Sequence, residues 1–195
     1  MDEPKPPFFN DLDASCIHAW RLLTRAVPDR RSGFHTPCIT TIGLDGAPCA
    51  RTVVLRHVDE GSRLIRFHTD ARAPKIEELK REPRIGALFY DFKSKLQLRA
   101  NGVATIHAPG SALALECWER SQEMSRLCYA QALAPRSLLQ EPQEGEARGS
   151  GGVEHFCVVV IEVQKLEWLY LHHEGHRRAL FEWRDGSWHK QWLAP

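Results

Sequence analysis

The sequence predicts a mainly β (α+β) fold: an antiparallel barrel with a few helices packed outside it. Three observations predict it. Short β-rich segments follow one another in meander order, tight turns such as Asp45-Gly46 and Asp185-Gly186 join them, and only two or three segments carry helical periodicity. Strands do not alternate with helices, so a doubly wound parallel sheet is not expected.

The elements follow in order. Residues 1–9 are rich in Pro, and Leu12 to Val27 places Ile17, Trp20, Leu23 and Val27 at spacings of 3, 3 and 4, the stripe of an amphipathic helix. Pro28 and the stretch Arg30 to Gly33 end it. The β-rich runs Cys38–Ile42 and Cys49–His57 flank Asp45-Gly46, and Leu64–Thr69 follows a second turn at Asp59-Glu60-Gly61. A short helix fits Pro74–Arg81 with Ile76 and Leu79 inward, and Pro83 stops it before the strands Ile85–Phe92 and Leu96–Ile106. Pro109-Gly110-Ser111 opens a helical pattern from Ala112 to about Gln131, with an interruption. Residues 135–154, rich in Gln, Glu and Gly, read as a mobile loop inside one domain spanning 1–195, because strands resume after it. Those strands are Phe156–Val163, Glu167–Leu171, Ala179–Trp183 and Trp188–Trp192.

Composition narrows the function classes. The 195 residues are 43% hydrophobic and 26% charged, ordinary for a globular chain with a sizeable core. Lys+Arg at 26 against Asp+Glu at 25 leaves a net charge of +1, so nothing global favours nucleic acid or an anionic membrane as partner. The six cysteines form no C-x-x-C pair; they read as buried small hydrophobes, and no metal site is expected. The start of the chain lacks the apolar run of a signal peptide, and no segment approaches 18 apolar residues, so a cytoplasmic protein is expected.

Three places could carry chemistry. Arg51-Thr52-Val53-Val54-Leu55-Arg56 is a β-branched run bracketed by guanidinium groups. Strand alternation puts Arg51 and Arg56 on opposite faces, so they share a site only if one lies at a strand end or a bulge; otherwise they are solvated charges capping a strand. Phe67-His68-Thr69-Asp70 then runs into the helix that Pro74 opens. Free backbone N–H groups there, with Arg72, Lys75 and the Thr69 hydroxyl, suit an anion, although a solvated helix start has the same composition. Gln97 stands in an alternating strand, facing either solvent or the carbonyl and imide edge of a flat ring. His172-His173-Glu174-Gly175-His176 has no spacing typical of zinc, and no G-x-S-x-G elbow is present.

Taken together, Arg51 to Arg56, Phe67 to Asp70, Lys75, Glu82-Pro83, Leu96-Gln97-Leu98 with Gly102, and Leu193-Ala194-Pro195 resemble the pyridoxamine 5'-phosphate oxidase family, from about Pro37 to the last residue. The resemblance implies a split β-barrel, a homodimer, and FMN at the subunit interface. It places Arg51, Thr52, Val53, Val54, Leu55 and Arg56 along the cofactor, with Arg51 or Lys75 on its phosphate. His68 and Thr69 match a Tyr-Thr pair that touches FMN, Gln97 matches a glutamine that reads the ring, and Arg178 matches an arginine reaching the flavin across the dimer. For the small phosphorylated substrate it implies Arg56, Ser125 and His176. The implied reaction oxidises pyridoxamine or pyridoxine 5'-phosphate to pyridoxal 5'-phosphate with O2, and no protein general base is visible.

Departures from the family pattern fall mainly on the substrate side. Pro74 stands where a phosphate-binding Arg is usual, with Arg72 two residues away to compensate. Cys117 and Ser121 stand where a Tyr and an Arg hold the substrate phosphate, and Glu174 replaces a late Arg. These changes leave open an FMN-dependent reductase, an oxidase of another small substrate, or a non-catalytic flavin-binding protein.

Overall fold

The computed structural model describes residues 5–142 and 151–195, so the middle of the expected mobile loop (143–150) lies outside the described residues. A short 3-10 turn, Pro7–Asn10, leads into helix α1, Leu12–Ala26. Asp11 caps α1 by accepting from the Ala14 N–H at 2.9 Å. Its buried stripe is Cys16, Ala19, Trp20, Leu23 and Ala26, whereas Ile17 is 43% exposed. The stripe is therefore displaced by one residue from the expected one, because a helix turns 100° per residue and Trp20 and Leu23 set the docking face. Trp20 and Leu23 are fully buried, each contributing roughly 2–3 kcal/mol of apolar burial.

Among the described residues nine strands form one antiparallel sheet: β1 (Cys38–Ile42), β2 (Pro48–Thr52), β3 (Leu55–Asp59), β4 (Leu64–Asp70), β5 (Arg84–Asp91), β6 (Leu96–His107), β7 (Phe156–Tyr170), β8 (Arg177–Arg184) and β9 (Ser187–Leu193). Their order is β2-β1-β5-β6-β7-β4-β3, with β8 and β9 continuing from β7. This is the split barrel. The expected run Cys49–His57 is two strands rather than one, because Val53 and Val54 leave the ladder. The first two of the four strands expected after residue 155, Phe156–Val163 and Glu167–Leu171, are a single strand, since Gln164 bulges out between the pairs Gly102↔Val163 and Asn101↔Lys165 and β7 continues beyond it. β7 therefore pairs with β6 along its length, with β4 through Glu162, and with β8 from Lys165 onward.

Inward-facing residues of the strands, among them Ile39, Phe67, Phe89, Leu98, Ile161 and Phe181, build the main core, and each is at most 1% exposed. Helix α2, Pro74–Arg81, closes one end with Ile76 and Leu79 buried as expected. The expected third helix is broken into α3 (Ala112–Glu119), α4 (Glu123–Arg126) and a 3-10 turn. Ser121 folds its hydroxyl back onto the Cys117 carbonyl at 2.7 Å, and Gln122 is extended as the N-cap of α4. Of the six cysteines only Cys16, Cys117 and Cys157 are buried; Cys128 is exposed. Asp185 and Gly186 turn β8 into β9 with φ of 51° and 78°, the paired positive values of a type I′ hairpin. Among the described residues no helix is long and apolar enough to cross a membrane.

Candidate functional site

The expected residues fall into three places, two of them clefts at the two ends of the 51–56 segment. The first is a cleft of about 470 Å³ lined by Cys49, Arg51, Thr52, Lys75 and the Pro135-Arg136 turn. Arg51 lies near the end of β2, and its guanidinium has an inner and an outer side. Nη2 donates to the buried Glu78 carboxylate at 2.7 Å and Nη1 donates to Thr41 Oγ1, which in turn donates to Glu78. Lys75 follows Pro74 in the first turn of α2, where the N-cap Ala73 offers no side-chain acceptor; Pro74 has no N–H and the Ala73 and Ile76 N–H groups donate to the Asp70 and Ala73 carbonyls, which leaves the Lys75 N–H for a ligand. Its Nζ donates to Thr69 Oγ1 at 2.9 Å. Burial first, and the neighbouring Arg51 charge second, push the Lys75 pKa below its ordinary value. Two cations held this close, beside an uncapped helix start, form a cradle that an anion would stabilise.

The second cleft, about 520 Å³, is lined by Leu55, Arg56, Arg66, His68, Ser121 and Ser125 among others, with Cys117 at its floor. A bulge makes it. Leu55 pairs with Phe67 and His57 with Arg66, so Arg56 is the extra residue, and a bulge re-aims the side chain it carries. Arg56 thus meets the condition the alternation set for it, but the bulge directs it to this cleft and not to that of Arg51. Leu55 is 1% exposed and contributes its body to the core, while Val53 and Val54 form the half-buried link between the clefts. His68 and Thr69, neighbours in β4, face opposite sides: His68 into this cleft, Thr69 towards Lys75. His68 Nε2 and Arg66 Nε are both buried without a hydrogen-bond partner. Burial, then Arg56 and Arg66, lower the His68 pKa to about 3, so its ring stays neutral at ordinary pH. Among the described residues neither Arg56 nor Arg66 has an ion-pair partner, and a concave site holding uncompensated guanidinium groups suits an oxyanion.

The third place is on the outer face of the sheet. Tyr90↔Gln97, Gln97↔Leu169, Leu169↔Arg178 and Arg178↔Leu193 make one cross-strand row from β5 to β9. Gln97 and Arg178 therefore stand two strands apart on one face, about 10 Å by strand spacing. Glu167 holds Arg178, accepting from its Nε at 2.8 Å and its Nη2 at 2.5 Å, and also accepts from Arg99 at 2.9 Å. His176 and Arg178 line a smaller cleft of about 300 Å³ with Leu193 and Pro195. Within one chain these two residues share neither of the cationic clefts.

Arg72 is engaged elsewhere. Its Nε and Nη2 grip the Asp70 carboxylate at 3.0 and 2.8 Å, and it donates to the carbonyls of Gln131 at 3.0 Å and Ala132 at 3.2 Å. Arg66, Glu78 and Arg136 are absent from the sequence reading. Arg66 had a signal, since it shares strand parity with His68; Glu78 and Arg136 acquire meaning only from contacts 27 or more residues away, Arg51 in the case of Glu78.

The split barrel carries an anion-suited cleft at each end of the 51–56 segment and an outer row of amide and guanidinium, the fittings of a barrel that binds a phosphorylated ring compound. The profile of the family described as pyridoxamine 5'-phosphate oxidase, FMN-binding domain, matches residues 17–108. A relative from Arabidopsis thaliana, pyridoxine/pyridoxamine 5'-phosphate oxidase 2, is 31% identical over 167 residues, covering 80% of this chain and 83% of the relative. The chain belongs to the pyridoxamine 5'-phosphate oxidase family, and its cofactor is FMN. Two solved structures share the fold. A pyridoxamine 5'-phosphate oxidase-related, FMN-binding protein from Nostoc punctiforme superposes with a TM-score of 0.71 at 20% identity, covering 99% of this chain and 100% of that one. PhzG from Burkholderia lata, solved with tetrahydrophenazine-1-carboxylic acid, gives 0.73 at 18%, covering 99% and 98%.

Proposed function

We propose that this protein is an FMN-dependent oxidase that converts pyridoxamine or pyridoxine 5'-phosphate to pyridoxal 5'-phosphate with O2. The observation that carries the reading is the pair of cationic clefts at the two ends of the 51–56 segment. One suits the cofactor's phosphate and the other a substrate's. Arg51, Thr52 and Lys75 would hold the FMN phosphate, and Gln97 offers an amide that both donates to and accepts from the ring edge. When bound, FMN supplies the two-electron acceptor chemistry, which no side chain here provides. The chain binds and orients. Arg56 and Arg66 take the substrate phosphate by charge-assisted hydrogen bonds, Ser125 adds a hydroxyl, and the neutral His68 ring offers Nε2 without repelling a cationic amine.

The homodimer belongs to the same reading. His176 and Arg178 lie away from both clefts on their own chain, and the outer sheet face beside Gln97 exposes Leu88 at 39% and Tyr90 at 43%. A second copy on that face would cover the apolar side chains and bring Arg178 and His176 to its neighbour's flavin.

The test is anaerobic mixing of FMN-loaded protein with pyridoxamine and pyridoxine 5'-phosphates, the unphosphorylated vitamers, NADH and NADPH. The phosphorylated vitamers are expected to bleach the flavin, and air to restore it with formation of peroxide and pyridoxal 5'-phosphate. Bleaching by a nicotinamide alone sinks the proposal. A second reading, oxidation of a different anionic ring compound, is favoured by Cys117 and Ser121, which line the substrate cleft with small side chains. It gains if a ring carboxylate such as the one in the PhzG complex bleaches the flavin and the B6 phosphates do not.

A further inference from the structure

We infer that Arg136 supplies the second guanidinium of the FMN-phosphate site, and that Arg72 is the latch that holds Arg136 there. The inference rests on FMN occupying the cleft of Arg51 and Lys75. Helix α2 brings only one cation to that cleft: Pro74 at its first position has none, and the N-cap Ala73 has no polar side chain. The opposite wall is the Pro135-Arg136 turn.

The shape of that turn is informative. Ser137 closes it, donating from its N–H to the Ala134 carbonyl at 3.1 Å and from its hydroxyl to the same oxygen at 2.8 Å. Pro135 takes the second position and Arg136 the third, with φ of 69°. A turn with Pro second and positive φ third is type II, and Gly or Asn is the residue that holds the third position without strain. An arginine costs free energy there relative to glycine. Arg63 and Lys95 adopt the same backbone region elsewhere in the chain, so what distinguishes Arg136 is its place in the wall of the cleft that Arg51 and Lys75 line.

The segment before the turn is tied down from the site itself. Asp70 is 6% exposed at the end of β4 and holds the Arg72 guanidinium by two bonds. Further donors of Arg72 grasp the carbonyls of Gln131 and Ala132, three and two residues ahead of Ala134, the first residue of the turn. Every hydrogen bond of this guanidinium is thus accounted for by Asp70 and the loop. Arg72 acts as a positioning residue: it fixes where the loop leaves the barrel, and hence where Arg136 arrives.

The experiment is equilibrium titration of full-length apoprotein with FMN and with riboflavin, which has the ring but no phosphate, followed by flavin fluorescence. Arg136→Gly suits the backbone of the turn and retains the fold. It is expected to weaken FMN about tenfold, the worth of one charge-assisted hydrogen bond, and to leave riboflavin unchanged. Arg72→Gln is expected to lower the FMN-to-riboflavin preference in the parent, yet to add nothing in the Arg136→Gly background. An unchanged preference in Arg136→Gly overturns the inference while leaving FMN as the cofactor. A further loss on adding Arg72→Gln makes Arg72 the phosphate ligand and overturns the latch. A parent that prefers riboflavin or binds neither flavin overturns both the inference and the cofactor reading.

Discussion

Glu78 offers the sharpest test of how the cleft of Arg51 and Lys75 is built. Its side chain is 4% exposed, and its carboxylate takes Arg51 Nη2 at 2.7 Å and the Thr41 hydroxyl. Replacing it with Leu leaves a guanidinium and a hydroxyl facing an apolar side chain. Breaking one side of a fully buried pair costs about 3–5 kcal/mol. Arg51 remains 23% exposed along the cleft, so water regains part of it and the expected loss is about 2–3 kcal/mol. For a chain of this length that is a fall in Tm of about 5–10 °C. Glu78→Gln keeps an acceptor for both donors and should lose only about 1 kcal/mol. Urea unfolding of the apoprotein measures both, and a cycle with Arg51→Met isolates the pair. Removing the second partner should cost little more, giving a coupling of about 2 kcal/mol. A Glu78→Leu variant within about 0.5 kcal/mol of the parent, or additive losses in the cycle, would refute the reasoning.

Other consequences can be measured directly. Arg66→Gln should raise KM for a phosphorylated vitamer by about tenfold or more and leave that for its unphosphorylated form unchanged; steady-state oxygen uptake with both substrates decides it. His68 has a folded pKa of about 3 against 6.5 in the open chain, so between those values the unfolded state binds the extra proton and stability falls as pH is lowered. Its share of that slope is up to ~1.4 kcal/mol per pH unit, and denaturant midpoints at pH 6 and pH 4 should differ less in His68→Gln than in the parent. Gly102 lies against β7, where an added Cβ would stand 2.1 Å from the Glu162 carbonyl oxygen. Gly102→Ala should therefore cost about 2–3 kcal/mol by thermal melting, and an unchanged Tm would mean the two central strands yield easily.

Much of this was legible from the chain because alternation and turn chemistry act locally. The bounds of α2 were readable because Pro74 opens it and Pro83 follows it closely. Cys49 to His57 looked like one strand because β-branched residues fill it, and side-chain type does not announce that Val53 and Val54 leave the ladder. The polar Gln164-Lys165 looked like a gap in a strand that in fact bulges and continues. In the candidate site, Arg51, Lys75, Arg56 and His68 belong to a contiguous pattern and could be picked out. Arg66 and Glu78 were not singled out, because strand parity does not separate a cleft-lining arginine from a solvated one, and a helical carboxylate shows no partner until Arg51 is brought to it. Arg136 sits in a turn whose place against Lys75 is fixed by tertiary contacts, which local sequence does not encode.

One consequence of β7 concerns the order of events as the chain is made. It closes the barrel by pairing Leu64 with Glu162 and Asp70 with Phe156, contacts that span well over eighty residues. Until that late strand leaves the ribosome, β4 has only the short β3 beside it, and the inward side chains Ile65 and Phe67 have no opposite wall. A nascent chain stalled near residue 140 would thus carry most of the proposed cofactor ligands yet display an unpaired, apolar edge, the kind of surface that recruits chaperones or neighbouring chains. If FMN binds the cleft of Arg51 and Lys75 as proposed, its capture waits for β7, because the wall that fixes Thr69, and through it Lys75, is synthesised more than eighty residues later.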